Sequence, residues 1–178
     1  MNGNLNIQKI NYVIDHLGLY YEIPKQILDK FKFIDNNNSL EKGYIYFKLS
    51  DKDLDLNKIK YYNNIPILYP NNLQEEVYSH NKEYLIFKDD LIKSAFYFLS
   101  GYQEYNRKSS DNLGRFNFYD SIQYKLNITS IPIVNYYFDI IIEAINNFLT
   151  ETNIYDIIHK KPLFKNFGFL LTHDIDRI

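Results

Sequence analysis

The sequence has no cysteine and no tryptophan, a single methionine and only six glycines in 178 residues. Without cysteine there are no disulfides, no thiolate metal sites and no cysteine nucleophile, which fits a reducing compartment. Arginine is nearly missing as well: Arg107, Arg115 and Arg177 stand against a background of many lysines. No apolar run approaches the ~18 residues of a membrane span. The opening Met1-Asn2-Gly3-Asn4-Leu5-Asn6 has neither the basic nor the apolar stretch of a secretory signal. A cytoplasmic protein with no membrane partner is therefore expected. A net charge of -2 gives no electrostatic footprint for nucleic acid. There is no Gly-rich phosphate loop and no serine nucleophile elbow. His16, His80, His159 and His173 form no HxxxH or HExxH pair. An isolated histidine is more often structural or solvated than a ligand, and His80 reads as part of a polar loop.

What the chain does have is 46% hydrophobic residues, enough for a core of one domain. It also has 18 tyrosines and 13 phenylalanines. Such rings could stack on sugars. The simpler account is a bias toward Asn, Ile, Lys and Tyr of the kind AT-rich coding imposes.

Ile7, Ile10, Val13, Ile14 and Leu17 recur at helical spacing, with Gly18 as a stop. Leu19 to Ile23 reads as a strand ended by Pro24. Tyr44 to Leu49, Ile65 to Tyr69 and Glu83 to Phe87 read as further strands, the second limited by Pro66 to an edge or a strand start. The acidic stretch Asp51 to Asp55 reads as a solvated loop. Asp89 or Asp90 can cap a helix carrying Leu91, Ile92, Ala95, Phe96, Phe98 and Leu99. Residues 100 to 120 look like a polar loop, with a short helix from Tyr119 to Leu126. Pro132 suits the first turn of a long helix whose face is Ile133, Tyr136, Tyr137, Ile140, Ile141, Ala144, Ile145 and Phe148. Strands alternating with helices predict an α/β domain, a mixed sheet with flanking helices. Strands concentrated early and helices late keep α+β as the alternative.

Two places could carry chemistry. Phe167 to Leu171 reads as a buried strand that delivers Thr172-His173-Asp174-Ile175-Asp176 at its tip. The carboxyl ends of strands are where α/β proteins collect reactive groups. One aspartate could bind a metal and the other act as a base, or both could be a charged tail. The second place is the loop with Glu104, Asp111, Arg115 and Asp120. There Arg115 could grip an anionic ligand with its planar fork, or pair with Asp111 or Glu104 and pin the loop. Gly114 suggests a tight turn.

Phe96-Tyr97-Phe98-Leu99-Ser100-Gly101-Tyr102-Gln103-Glu104-Tyr105, Asp111-Asn112-Leu113-Gly114-Arg115-Phe116, Ile131-Pro132-Ile133-Val134 and Leu171-Thr172-His173-Asp174-Ile175-Asp176 follow one another in that order. In this they resemble bacterial proteins similar to polysaccharide deacetylases of the NodB-homology type. Those proteins carry an uncharacterised N-terminal domain ahead of the catalytic one. Two positions depart from the pattern: Gly101 stands in place of an arginine and Gln103 in place of a glutamate, which argues against a charge-dependent role for the loop. The resemblance implies an accessory domain over 1–162. Residues 163–178 would then be the first strand of a (β/α) barrel-like catalytic domain that this chain does not contain. It implies Asp174 as general base, Asp176 as ligand of zinc or another divalent metal, and a carbohydrate substrate for the complete enzyme. Amide hydrolysis with a metal and a carboxylate base is consistent chemistry. A catalytic zinc needs three protein ligands, so the chain alone is expected to be inactive and to bind metal weakly. The alternative is a free-standing binding or interaction module without catalysis.

Overall fold

The computed structural model describes residues 2–35, 39–106, 110, 114–153 and 157–162, with side chains from residue 6 onward. It is a mixed α/β domain. The elements are α1 (Asn2–Tyr20), α2 (Lys25–Leu28), β1 (Phe31–Ile34), β2 (Ile45–Lys48), β3 (Lys60–Tyr62), β4 (Ile65–Ile67), β5 (Tyr78–His80), β6 (Leu85–Phe87), α3 (Leu91–Leu99), α4 (Tyr102–Tyr105), α5 (Ile122–Lys125) and α6 (Ile133–Thr152). Strands β1, β2, β6 and β5 form one sheet in that order, and β3 with β4 forms a separate hairpin. The pairs β1–β2 and β2–β6 are parallel, while β5 runs antiparallel to β6.

The sheet is mixed because its parallel centre is fed by crossovers and its edge by a hairpin. Alternation puts Phe33, Ile45, Phe47, Leu85 and Phe87 on one face. That face meets α1, α3 and α6 in the main core. Phe47, on the central strand β2, stacks on Phe87 at 4.7 Å between ring centroids and is flanked by Phe31 and Phe33. Helix α6 is buried around most of its girth: Phe138, Ile142 and Leu149 are covered as well as the expected Ile140, Ile141 and Ile145. Its Tyr136 is exposed, against expectation. Tyr97 belongs to a smaller cluster with Leu68, Tyr69 and Ile122.

Several expectations are corrected. Leu19 to Ile23 is not a strand. Helix α1 runs through Gly18 to Tyr20, because Val13, Leu17 and Tyr21 continue one buried stripe at helical spacing. Ile7, expected on that face, is exposed. His80 is the last residue of β5 rather than part of a loop. The supposed loop after residue 100 contains α4. Strands β1 and β3 had no expectation over them.

Asparagine does work here that glycine does elsewhere. Asn63 and Asn64 have φ of 48° and 65° and form the two-residue turn between β3 and β4, and Asn127 and Asn153 have φ of 55° and 50°. A short polar side chain tolerates the left-handed region better than other non-glycine residues, so these positions close a hairpin and end helices in a glycine-poor chain. Among the described residues, no helix is long and apolar enough to cross a membrane.

Candidate functional site

Asp174, Asp176 and Asp111 lie outside the described residues, as do His173 and the strand expected over Phe167 to Leu171. Glu104 sits in α4 and Arg115 just after Gly114; both side chains are exposed. Gly114 has φ +75°, as its tight turn requires. A hydrogen-bonding anchor of this stretch is Gln103. Its Oε1 accepts from the backbone N–H of Ile122 at 2.9 Å, and its Nε2 donates to Gln123 at 2.7 Å. The amide thus ties α4 to the start of α5, and an uncharged side chain suffices. Gly101 has φ 61° at the junction of α3 and α4, a conformation in which an arginine would be strained. Glycine at 101 and an uncharged amide at 103 thus each have a local structural reason.

The described residues hold a second polar constellation, at the carboxyl end of β6. Two consecutive aspartates follow the apolar strand, and the fold gives them different tasks. Asp90 is the N-cap of α3: Oδ1 accepts from the Lys93 N–H at 2.7 Å and Oδ2 from the Ser50 N–H at 2.8 Å. It thereby joins the helix start to the end of β2. Asp89 accepts from Lys60 Nζ at 2.6 Å and from the Asn71 N–H at 2.9 Å, tying the β3–β4 hairpin to the sheet. Lys93 Nζ donates to the carbonyls of Ser50 and Lys52, and Lys52 Nζ to that of Asn71. Every oxygen of the aspartate pair is thus engaged. Buried carboxylates held in this way brace loops and are not poised to take a substrate proton. The sequence signal was the Asp-Asp step after an apolar strand, which identified a cap. The part played by Lys60 needed the fold.

Burial pushes the Asp90 carboxyl up to about 6, with the Lys93 and Ser50 N–H groups and the Lys93 charge pulling the other way. A raised carboxyl favours folding most when protonated. Its contribution is fully present below the unfolded value of about 4 and is lost as pH rises through about 6. Lowering the pH from about 7.5 to about 4 should therefore gain up to about 3 kcal/mol from this group. Asp90→Asn should flatten that part of the profile, because it removes the titrating proton, and should destabilise at every pH by leaving one of the two N–H groups facing an amide donor. Urea midpoints measured across this range check it. Equal slopes in the two proteins would refute the assignment.

Two clefts open on the surface. One, of about 630 Å³, lies between β3 and the run Leu73–Tyr78. The other, of about 620 Å³, lies between the end of α1, Pro24 and the segment Ile157–Lys161. At the second cleft Tyr21 pairs with Lys160 in an isolated antiparallel bridge, with Glu22 N–H donating to His159 O at 3.0 Å and Lys161 N–H to Tyr20 O at 2.7 Å. Lys160 and the Tyr21 hydroxyl meet on Asp139. Among the described residues, no three side chains of metal-binding type come together.

The fold and these features define an α/β domain whose buried polar groups brace it and whose open features are shallow clefts. The chain belongs to a family of unknown function, DUF7033, whose model matches residues 3–150. No curated protein and no solved structure matches the sequence.

Proposed function

We propose that this domain is the N-terminal accessory module of a metal-dependent carbohydrate deacetylase whose catalytic domain opens at the strand carrying Asp174 and Asp176. The supporting observation is how the fold treats the approach to that strand. The family match ends at residue 150, and residues 157–161 return to the body and pair with the end of α1. In this reading the module has its own core, and the catalytic segment with the Thr-His-Asp-Ile-Asp motif follows it in the sequence. The four ordered sequence segments that resemble such proteins support the deacetylase part of this reading.

The donor set does not fit a catalytic zinc by itself. Asp176 is one ligand of the three protein ligands required, and the resemblance puts the other two downstream. In the proposed enzyme Asp174 takes the proton from the attacking water.

The purified 178-residue chain should release no acetate from acetylated chito-oligosaccharides and should hold zinc weakly. A protein extended through the downstream catalytic segment should hydrolyse them. Asp174→Asn in that protein should lower kcat by about 10²–10⁴-fold while zinc affinity stays within a few-fold. Chelator-sensitive hydrolysis by the short chain would overturn the modular reading. Full activity of the Asp174→Asn protein would overturn the base.

A further inference from the structure

We infer that the cleft between β3 and the run leading into β5 is a docking slot for an extended, basic polypeptide segment, which it takes up as an added β-strand. This goes beyond the proposed function and does not depend on it.

Strands β3 and β5 each turn an edge of backbone groups away from their paired strand. In an antiparallel pair, successive residues turn both their N–H and C=O alternately toward the partner and away from it. The two-residue turn Asn63-Asn64 makes Tyr62 and Ile65 the hydrogen-bonded pair, so Tyr61 and Pro66 point their backbone groups outward. Pro66 confirms the phase: it has no N–H to offer, and its carbonyl accepts from the Tyr137 hydroxyl at 2.5 Å, away from β3. The same reasoning fixes β5. Asn81 N–H donates to Tyr84 O, and Lys88 N–H to Val77 O, so Val77, Ser79 and Asn81 face β6. Tyr78 therefore turns its N–H and C=O away from the sheet. Tyr61 and Tyr78 both line the cleft of about 630 Å³. Among the described residues, no backbone hydrogen bond joins β3 to the Leu73–Tyr78 run. The slot is thus walled by two strand edges, the kind of surface that takes up an extended chain. Its volume is that of a ligand cleft.

The side chains select the occupant. Tyr61 and Leu73 are more than half exposed, and Tyr62 and Tyr78 meet at 6.1 Å between ring centroids, so apolar side chains have rings to cover. Lys60, the cation in the wall, is spent on Asp89 and on the Asn72 carbonyl. Glu75 and Glu76 are exposed on the opposite wall. Glu75 is loosely opposed by Lys88 at 3.9 Å. Glu143 adds its charge beside Tyr78 from α6. The slot is therefore acidic, and a strand alternating lysine with a β-branched residue complements it in both charge and pleat.

The test uses the 178-residue chain and the peptide Lys-Val-Lys-Val-Lys-Val-amide with an N-terminal fluorophore, read by fluorescence anisotropy and residue-resolved amide exchange. Saturable binding below about 1 mM is expected, with the Tyr61 and Tyr78 amides exchanging at least about tenfold more slowly when peptide is bound. A Glu-Val-Glu-Val-Glu-Val peptide should bind at least about tenfold more weakly. A version N-methylated along one edge should lose binding. Glu76→Lys, at an exposed position, should weaken binding about fivefold without altering the fold. Tyr61→Pro, which removes the outward N–H, should weaken it further. No binding, binding indifferent to N-methylation, or protection of these amides by chitotetraose in place of the peptide would each overturn the inference.

Discussion

Replacing Asp89 with alanine should cost the fold about 3–5 kcal/mol, among the largest losses open to a single polar side chain here. The Asp89 side chain is 0% exposed and that of its partner Lys60 is 9% exposed. Truncation leaves an ammonium in a site built for a paired charge, with only the Asn72 carbonyl as its partner. It also leaves the Asn71 N–H without its acceptor. The loss should exceed that of Lys58→Ala, whose pair with Asp55 is solvent-exposed and screened by water. The size of the effect reflects the stranded partner more than the worth of the pair, so Lys60→Met with Asp89→Leu should recover most of it. Urea denaturation followed by circular dichroism reads all three proteins. An Asp89→Ala midpoint unchanged from the parent would show that water reaches the pair.

The second large effect is expected at Phe47. Phe47→Ala should destabilise by about 3–5 kcal/mol, from lost transfer energy plus the cavity that remains. Phe47 is 2% exposed and sits on the central strand. It touches Phe31 and Phe33 on one side and Phe87 on the other, so three rings lose a neighbour at once. Those rings come from strands on both sides of β2, which limits how far any one can move to refill the space. Tyr61→Ala, at an exposed ring, should stay within about 0.5 kcal/mol. A small loss for Phe47→Ala would mean that the sheet face is not the core.

The parts of the fold legible in the sequence were those with one strong pattern. Helix α6 announced itself by Pro132 and a long apolar stripe, and α3 by aspartate followed by an apolar face. Strands β2, β4 and β6 showed as short apolar runs. The rest failed for physical reasons. The run Leu19 to Ile23 is apolar whichever way it is wound, and only the register of Tyr21 with Leu17 and Val13 makes it the end of a helix. Strands β1, β3 and β5 mix lysine, serine or histidine with aromatics over three or four residues, too few for a period to emerge. Asn63-Asn64 is a usable hairpin signal, because both residues tolerate the left-handed region the turn needs. Of the site residues, the caps were readable because capping is local. The Lys60–Asp89 pair was not, because 29 residues separate its members and only the docking of the hairpin brings them together.

The bridge between Tyr21 and Lys160 also has a mechanical meaning. Any tension applied to the chain beyond Pro162 arrives first at two backbone hydrogen bonds and at the Lys161 ammonium held by the Gly18 carbonyl. A tug from whatever follows is therefore shared with the end of α1 before it can peel α6 from the sheet. The clasp is thus placed to act as a strain relief for the aromatic interior.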